Sequence, residues 1–446
     1  MSQTVLPLFL PDGSPEAGPA GETNQVRHED RPVHDWYRFV LSFPPHLVRT
    51  YLERFDLPPR GQVLDPFCGT GTTVVESKKR SIAAVGVEAN PVAHFASEVK
   101  TDWSPDPDRL AGEAERVAEI ALRALAQDGL TDQPLPDQVN PTNLRSLDDS
   151  AAGLLLKNSI SPLPLHKVLV LLEVLDRHAA PECRRHQRLA LATTLVQDAS
   201  NLKFGPEVGV GKPKTDAAVI RPWLRRVRSM AADLRSLHGR ADTSVVVHRA
   251  DARSLASFIA PGSIHAVITS PPYPNEKDYS RTTRLESVLL GFTPDKEALR
   301  AVKQSFVRSN TRSVYKQDED DRWISGHPEI ERIAAAIEQR RLELGKTSGF
   351  ERLYPRLTKL YFGGMARHLA GLRPLLAPGA RLAYVVGDQA SYLQVMIRTG
   401  QLLADLAERL GYEVVGIDLF RTRLATATRE QLREEVVVLR WPGESG

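Results

Sequence analysis

Cysteine is scarce in this chain. Cys68 and Cys183 are the two present in 446 residues, so neither a disulfide framework nor a four-ligand zinc site can be assembled from them alone. Long apolar runs are also missing. No stretch approaches the roughly 18 uninterrupted apolar residues of a membrane helix, and no basic segment followed by an apolar run opens the sequence as in a signal peptide. A charge excess of one sign is lacking too. Lys and Arg number 58 against 55 Asp and Glu, a net charge of +3, so any surface for a polyanion must arise from local clustering. The histidines show no metal-ligand spacing, and no metal is expected. These absences predict a reduced, cytoplasmic protein with no membrane contact.

The length and the apolar pattern indicate an enzyme-sized α/β chain. Residues 1–32 are rich in Pro, Gly, Glu and Asp and read as a mobile tail. A helix pattern follows through Leu47, Val48, Tyr51, Leu52 and Phe55, with Pro44 and Pro45 at its start. Short apolar strands are expected at Gln62–Leu64, Ala83–Val87, Ser244–Val247, Ile264–Ile268, Arg381–Val386, Glu413–Ile417 and Val436–Leu439. Helical patterns separate most of them, including Leu357–Leu376 and Leu402–Leu410. Strands alternating with helices predict a doubly wound, mostly parallel seven-stranded sheet. Two stretches exceed an ordinary crossover. The domain reading is therefore a catalytic domain in three parts, residues 33–100, 243–297 and 351–446. These are separated by a mainly helical insertion, 101–242, and a smaller one, 298–350.

Two segments carry the chemistry. The run Val63-Leu64-Asp65-Pro66-Phe67-Cys68-Gly69-Thr70-Gly71-Thr72-Thr73 leaves a strand and enters a helix. Its glycines permit positive φ and close approach of the backbone to a ligand, and the helix presents free N–H groups. Glu88 ends the second strand, where a carboxylate can accept both hydroxyls of a ribose. Asp251 holds the equivalent place after the third strand, within reach of an adenine amino group. A Gly-x-Gly turn alone equally suits a nicotinamide or flavin enzyme, although Val74 stands where their third glycine would be.

The second segment is Ser270-Pro271-Pro272-Tyr273, at the carboxyl end of the fourth strand, where open α/β sheets place their chemistry. An exocyclic base amine is a poor nucleophile because its lone pair is delocalised into the ring. It becomes reactive when acceptors hold its N–H groups and draw the nitrogen toward tetrahedral geometry. The Ser270 hydroxyl and the Pro271 carbonyl are two such acceptors. The Pro271-Pro272 pair restricts the backbone that presents the carbonyl, and Tyr273 offers a flat face to a base that has left the stack.

The strings Asp65–Thr73 and Ser270–Tyr273 together resemble the paired signatures of the S-adenosylmethionine-dependent DNA N4-cytosine and N6-adenine methyltransferases. Phe43-Pro44-Pro45-His46-Leu47-Val48 is similar to that family's motif upstream of the cofactor loop, and the resemblance covers residues 34–100, 243–290 and 351–446. It implies a Rossmann-like class I methyltransferase fold and S-adenosylmethionine as cofactor. Asp65, Phe67, Gly69, Thr70, Gly71, Thr72 and Thr73 would then form the cofactor loop, with Glu88 on the ribose and Asp251 on the adenine. In the family, Ser-Pro-Pro-Tyr accompanies cytosine more often than adenine, so N4 of cytosine in duplex DNA is the expected target. Adenine N6 and an RNA amine remain alternatives. A restriction endonuclease acting on the same site is the implied biological partner. Cytosine C5 methylation is excluded because it needs a thiolate after the fourth strand, where Ser270 stands and Cys68 does not.

Two basic segments suggest where nucleic acid binds. Residues 201–240 hold nine Lys/Arg against three Asp/Glu, among them Lys203, Lys212, Lys214 and Arg225. Residues 298–316 carry Arg300, Lys303, Arg308, Arg312 and Lys316 with no acid, interleaved with hydroxyl side chains. Such segments favour phosphate contacts, and Arg can also read base edges. The expectation is that Lys203, Lys212, Lys214 and Arg225 clamp the backbone while Arg308 and Arg312 contribute to target recognition. His34, Trp36 and Tyr37 could cover the cofactor or base pocket, with packing the favoured role for Trp36 and Tyr37, and the Arg284 and Glu286 pair reads as structural.

Overall fold

Alternation of side chains along short apolar strands decides the architecture. In the computed structural model, which describes residues 26–38, 42–134, 143–204, 208–237, 242–275, 277–424 and 431–443, nine strands form. They are β1 (Gln62–Asp65), β2 (Ala83–Val87), β3 (Leu202–Phe204), β4 (Val208–Val210), β5 (Val245–His248), β6 (Ile264–Thr269), β7 (Leu376–Gly387), β8 (Glu413–Leu424) and β9 (Gln431–Arg440). Seven of these make one sheet in the order β5-β2-β1-β6-β7-β9-β8. Pairing is parallel from β5 through β7, and β9 runs antiparallel between β7 and β8. The seven strands are those expected, with the last three extended further than the apolar runs alone suggested. The hairpin of β3 and β4 is separate and was not foreseen.

Successive strand residues point to opposite faces, and each face has its own core. Val63, Ala266, Ile268, Ala383, Val385, Val436 and Val438 pack against Leu47, Val48, Tyr51, Leu52 and Phe55 of the helix Pro45–Phe55. On the other face Leu64, Val267, Leu382, Tyr384, Val386 and Val437 meet the helices Tyr354–Leu372 and Thr399–Arg409. Covering both faces is what lets the central strands of a largely parallel sheet be apolar on both sides.

Residues 101–242 supply four long helices, Pro107–Gln127, Pro162–His178, Pro181–Thr194 and Ile220–Ser236. The first three begin at proline, and the last has Pro222 as its third residue, still within the first turn where a missing N–H costs little. Their core continues into the helix Pro91–Thr101 through Phe95, Ala96 and Val99, and onto Trp36 and Tyr37. Trp36 is buried, with Nε1 donating to Asp233 at 2.7 Å, and the Tyr37 hydroxyl donates to Glu286 at 2.6 Å. Both aromatics and Glu286 thus hold the helical block to the sheet domain.

The N-terminal reading needs adjustment. Residues 1–25 of the expected tail lie outside the described residues, but His28–Asp30 forms a short helical turn and Arg31–His34 follows it with a kink at Pro32 and Val33. Buried Asp30 accepts from Arg49 Nη1 at 2.6 Å, which anchors this segment to the helix Pro45–Phe55.

The stretch 298–350 is threaded against the sheet domain. Its short helix Asp320–Ile324 lies directly on the backbone of the helix Tyr354–Leu372. Gly363 makes that approach possible, since a Cβ there would fall 2.0 Å from the Asp320 carbonyl oxygen. No described helix is long and apolar enough to cross a membrane.

Candidate active site

The carboxyl ends of β1, β2, β5, β6 and β7 open into one cleft of about 720 Å³. The turn after β1 forms its floor. Gly69 has φ +53° and Gly71 φ +88°, and a Cβ on Gly71 would lie 3.0 Å from Ser97 Oγ. Gly71 is therefore required by strain and by space.

Asp65 is fully buried and pins this turn from beneath. It accepts from the Phe67 N–H at 3.1 Å and from the Thr269 hydroxyl at 2.6 Å, joining the ends of β1 and β6. Burial raises its pKa to about 6 against the pull of those donors. Thr73 donates to the Ile268 carbonyl at 3.0 Å, adding a second link. Phe67, Gly69, Thr70 and Thr72 line the cleft, whereas Asp65, Gly71 and Thr73 lie behind it. The loop thus divides into lining residues and residues that hold them.

Glu88 faces the cleft from the end of β2, with Oε2 accepting from Gly69 N–H at 2.9 Å and Oε1 from Asn90 N–H at 2.7 Å. Each oxygen keeps acceptor capacity. Burial pushes its pKa up to about 7, although the backbone donors favour the anion. Asn90 Oδ1 accepts from Val92 N–H at 3.0 Å, capping the helix Pro91–Thr101.

Asp251 also lines the cleft, but its carboxylate is engaged by Arg253. The Arg253 Nε donates to Oδ1 at 2.9 Å and Nη2 to Oδ2 at 2.6 Å. Below this rim His368 bonds the Ala252 carbonyl and the Tyr384 hydroxyl, each at 2.7 Å, and its ring meets Phe67 edge-on. Burial lowers the pKa of His368 to about 4, which keeps the imidazole neutral and able to fill both roles.

Ser270, Pro271, Pro272 and Tyr273 form the opposite wall. The Ser270 hydroxyl donates to the Val385 carbonyl at 3.1 Å. Its one proton is then directed at the protein, and the oxygen, which also neighbours the Tyr273 hydroxyl, keeps acceptor capacity. Burial raises the Tyr273 pKa, with the Glu434 carboxylate adding to the shift. Gly387 leaves the space that the Tyr273 ring needs. A Cβ at Gly387 would be 3.2 Å from Tyr273 Cε2 and 3.3 Å from Glu434 Cγ.

Gln389, Phe420, Arg421 and Glu434 also line this end, and the Arg421 Nε donates to Glu434. None was foreseen. Gly387, Asp388 and Gln389 follow an apolar strand in the manner of the residues after β6, and that position was the available signal. Arg421 and Glu434 had none, because β8 and β9 extend beyond their apolar cores.

The basic segments divide sharply. Lys203, Lys212 and Arg225 are exposed, while Lys214 is half-buried. Arg312 is exposed, its guanidinium over the Phe350 ring at 5.8 Å. Arg308, expected to contact the target, is instead 4% exposed. Its fork donates to Asp318 at 2.8 and 2.9 Å and to the Lys303 carbonyl at 3.0 Å. A buried guanidinium must be paired, and the partner lies ten residues further along the chain. Arg308 is a structural arginine.

Residues 21–98 match the DNA methylase family of N6 and N4 enzymes. Over 441 residues the chain is 23% identical to the Type II methyltransferase M.BsoBI of Geobacillus stearothermophilus, covering 93% of this chain and 85% of that protein. It is 22% identical to the Type II methyltransferase M.AvaI of Nostoc sp. over 449 residues, covering 93% and 88%. Along nearly its whole length the chain is thus similar to DNA amino-methyltransferases. Among solved structures, TrmN from Thermus thermophilus aligns with 92% of this chain and 52% of its own at 13% identity. Its TM-score of 0.27 is too low to bear on the fold.

The similarities to DNA amino-methyltransferases imply S-adenosylmethionine as the cofactor, and the cleft fits it. It offers a glycine turn open to a ligand at Gly69, a strand-end carboxylate at Glu88 and apolar faces at Phe43, Phe67 and Phe306. Among the described residues no cluster of metal-ligating side chains occurs.

Proposed function

We propose that this enzyme transfers a methyl group to the exocyclic N4 amine of cytosine in duplex DNA. The observation that carries the reading is that Ser270 and Pro271 share one cleft with the cofactor loop and Glu88.

S-adenosylmethionine supplies an electrophilic methyl group on a sulfonium centre. Phe67, Gly69, Thr70, Thr72 and Glu88 would hold it, while Asp65, Gly71 and Thr73 keep the loop in place. Asp251 would meet the adenosine end with Arg253 fixing its carboxylate.

The target cytosine leaves the duplex at a cost of a few kcal/mol, offset by stacking on Tyr273 and by hydrogen bonds to its edge. Its amine donates to the Ser270 oxygen and to the Pro271 carbonyl. Two acceptors placed for a pyramidal nitrogen favour the transition state over the planar ground state, which is how they accelerate the reaction. Ser270 suits this role because its proton is already committed to Val385. The proton leaving nitrogen passes to solvent.

The DNA backbone would be held by Lys203, Lys212, Lys214 and Arg225, with Arg312 reaching the target region. The length-wide similarity to two Type II methyltransferases supports a role inside the cell beside a restriction endonuclease for the same site.

The test is mass spectrometry of nucleosides from unmethylated duplex DNA incubated with purified protein and labelled S-adenosylmethionine. N4-methylcytosine that disappears in Ser270→Ala supports the reading. N6-methyladenine would retain amine methylation and replace the base. Label found in RNA and absent from DNA would overturn the substrate altogether.

A further inference from the structure

Two buried arginines converge on the end of one helix. The helix Lys296–Gln304 stops where the Ser305 and Phe306 N–H groups turn back to the Ala301 and Lys303 carbonyls, and its last carbonyls also accept from side chains. Arg308 donates to the carbonyls of Lys303 and Gln304, and Arg253 donates to the Gln304 carbonyl at 3.1 Å. Positive charge at a helix C-terminus is favourable, but surface lysines serve for that. Burying both guanidinia requires a tighter constraint to be worth its desolvation.

Arg253 supplies that constraint, since donors on all three of its nitrogens are used. Nε and Nη2 grip Asp251 at the cofactor rim, Nη2 also takes the Gln304 carbonyl, and Nη1 reaches Asp320. The last two residues of the helix and the segment that leaves it, residues 303–311 together, form a strap. Ser305, Phe306 and Val307 wall the cleft beside Ala250, Asp251 and Ala252. Further on, Asn310 Nδ2 donates to the Lys277 carbonyl at 3.2 Å, and Lys303 Nζ donates to Asp278 at 3.2 Å. Both partners follow the Ser270–Tyr273 loop. The same strap leads directly into the exposed Arg312.

We infer that Arg253 is a positioning residue that couples cofactor binding to duplex binding, by fixing the strap 303–311 against the adenosine end of the cleft. The inference rests on the cofactor and DNA reading above. A ligand that occupies the cleft orders the wall formed jointly by Asp251 and the strap. The duplex then meets a strap already held, so the second ligand has less to order. By linkage the effect is reciprocal. Removing the fork should uncouple the ligands while each still binds.

The experiment measures the duplex dissociation constant with and without S-adenosylhomocysteine, on a duplex carrying the site mapped by the methylation assay. The wild-type enzyme should bind duplex about fivefold or more tightly when S-adenosylhomocysteine is present, as expected for a coupled pair of sites. Arg253→Lys keeps the charge but not the fork, and its ratio should fall to about one. Should that variant lose the fold, Asp320→Asn removes one charged partner and should lower the ratio at least twofold. Lys203→Ala should weaken the duplex equally in both states and leave the ratio intact. A wild-type ratio near one with both ligands bound overturns the coupling and spares the functional reading. An unchanged ratio in Arg253→Lys or in a folded Asp320→Asn overturns the role of Arg253. Failure of the wild-type enzyme to bind S-adenosylhomocysteine overturns both.

Discussion

Gly387 faces the edge of the Tyr273 ring so closely that a Cβ there would stand 3.2 Å from Cε2, tighter than ordinary van der Waals contact. The relation links the end of β7 to the proposed base-binding wall, so a substitution at Gly387 tests that wall although the residue bears no functional group. In Gly387→Ala the Cβ would press Tyr273 Cε2 and Glu434 Cγ from one side. The expected outcome is a folded enzyme with at least a tenfold fall in single-turnover rate. A rate within twofold of wild type would show that the ring yields freely.

Ser270→Ala removes one of the two acceptors proposed for the amine and leaves the Val385 carbonyl without its donor. Loss of one preorganised group at a reacting centre costs about 10²–10³ in rate. The S-adenosylhomocysteine dissociation constant, measured by calorimetry, should stay within about threefold because the cofactor wall is untouched. A matching loss in cofactor affinity would move Ser270 to a structural role.

Glu88 gives a pH dependence whose sign can be worked out. Its folded pKa is raised to about 7 by burial. The protonated form is therefore favoured in the folded state, and the associated stability is lost as pH rises from the unfolded carboxylate value through about 7. Cofactor binding runs the other way, because the ribose hydroxyls need the ionised acceptor. Affinity for S-adenosylhomocysteine should climb as pH rises from 6 to 7 and level off above 8. Titration of Glu88→Gln over that range should give weaker, flat binding.

Arg308 and Arg312 stand four residues apart and should behave oppositely. Arg308→Ala strands the Asp318 carboxylate, a change that costs about 3–5 kcal/mol for a buried pair. Thermal unfolding should show a large drop. Arg312→Ala should leave the unfolding temperature unchanged and weaken duplex binding, with the slope of log affinity against log salt reduced by about one. Equal stability losses in the two variants would contradict this division.

The sheet was legible because its strands are apolar on both faces and bounded by turns, so Val63 and Leu64 announce burial whichever face they take. The two reactive loops were legible for a related reason, since strand ends followed by Gly-x-Gly or Pro-Pro restrict the backbone recognisably. Arg308 was not legible. A charged residue in a basic run reads the same whether it is solvated or buried, and its burial depends on Asp318 and on carbonyls freed by a helix end. Nor were β3 and β4, whose three-residue strands are too short to show alternation. Arg421 and Glu434 escaped because they reach the cleft only once β8 and β9 pair in register.

The strap has an implication for engineering and for divergence among such enzymes. Residues 303–311 serve at once as cleft lining and as the approach to Arg312, and they are clamped through Gln304 by Arg253 and Arg308. On the proposed reading of 298–350 as part of target recognition, a new preference should not be transferable by exchanging that stretch as an independent cassette. A chimera that transplants this region must bring compatible residues at positions 251 and 253, and at the Asp320 contact with Gly363, or its cofactor affinity will drift with every change of target. Drift in target choice should come more readily through substitutions at exposed sites such as Arg312, where the scaffold is not shared.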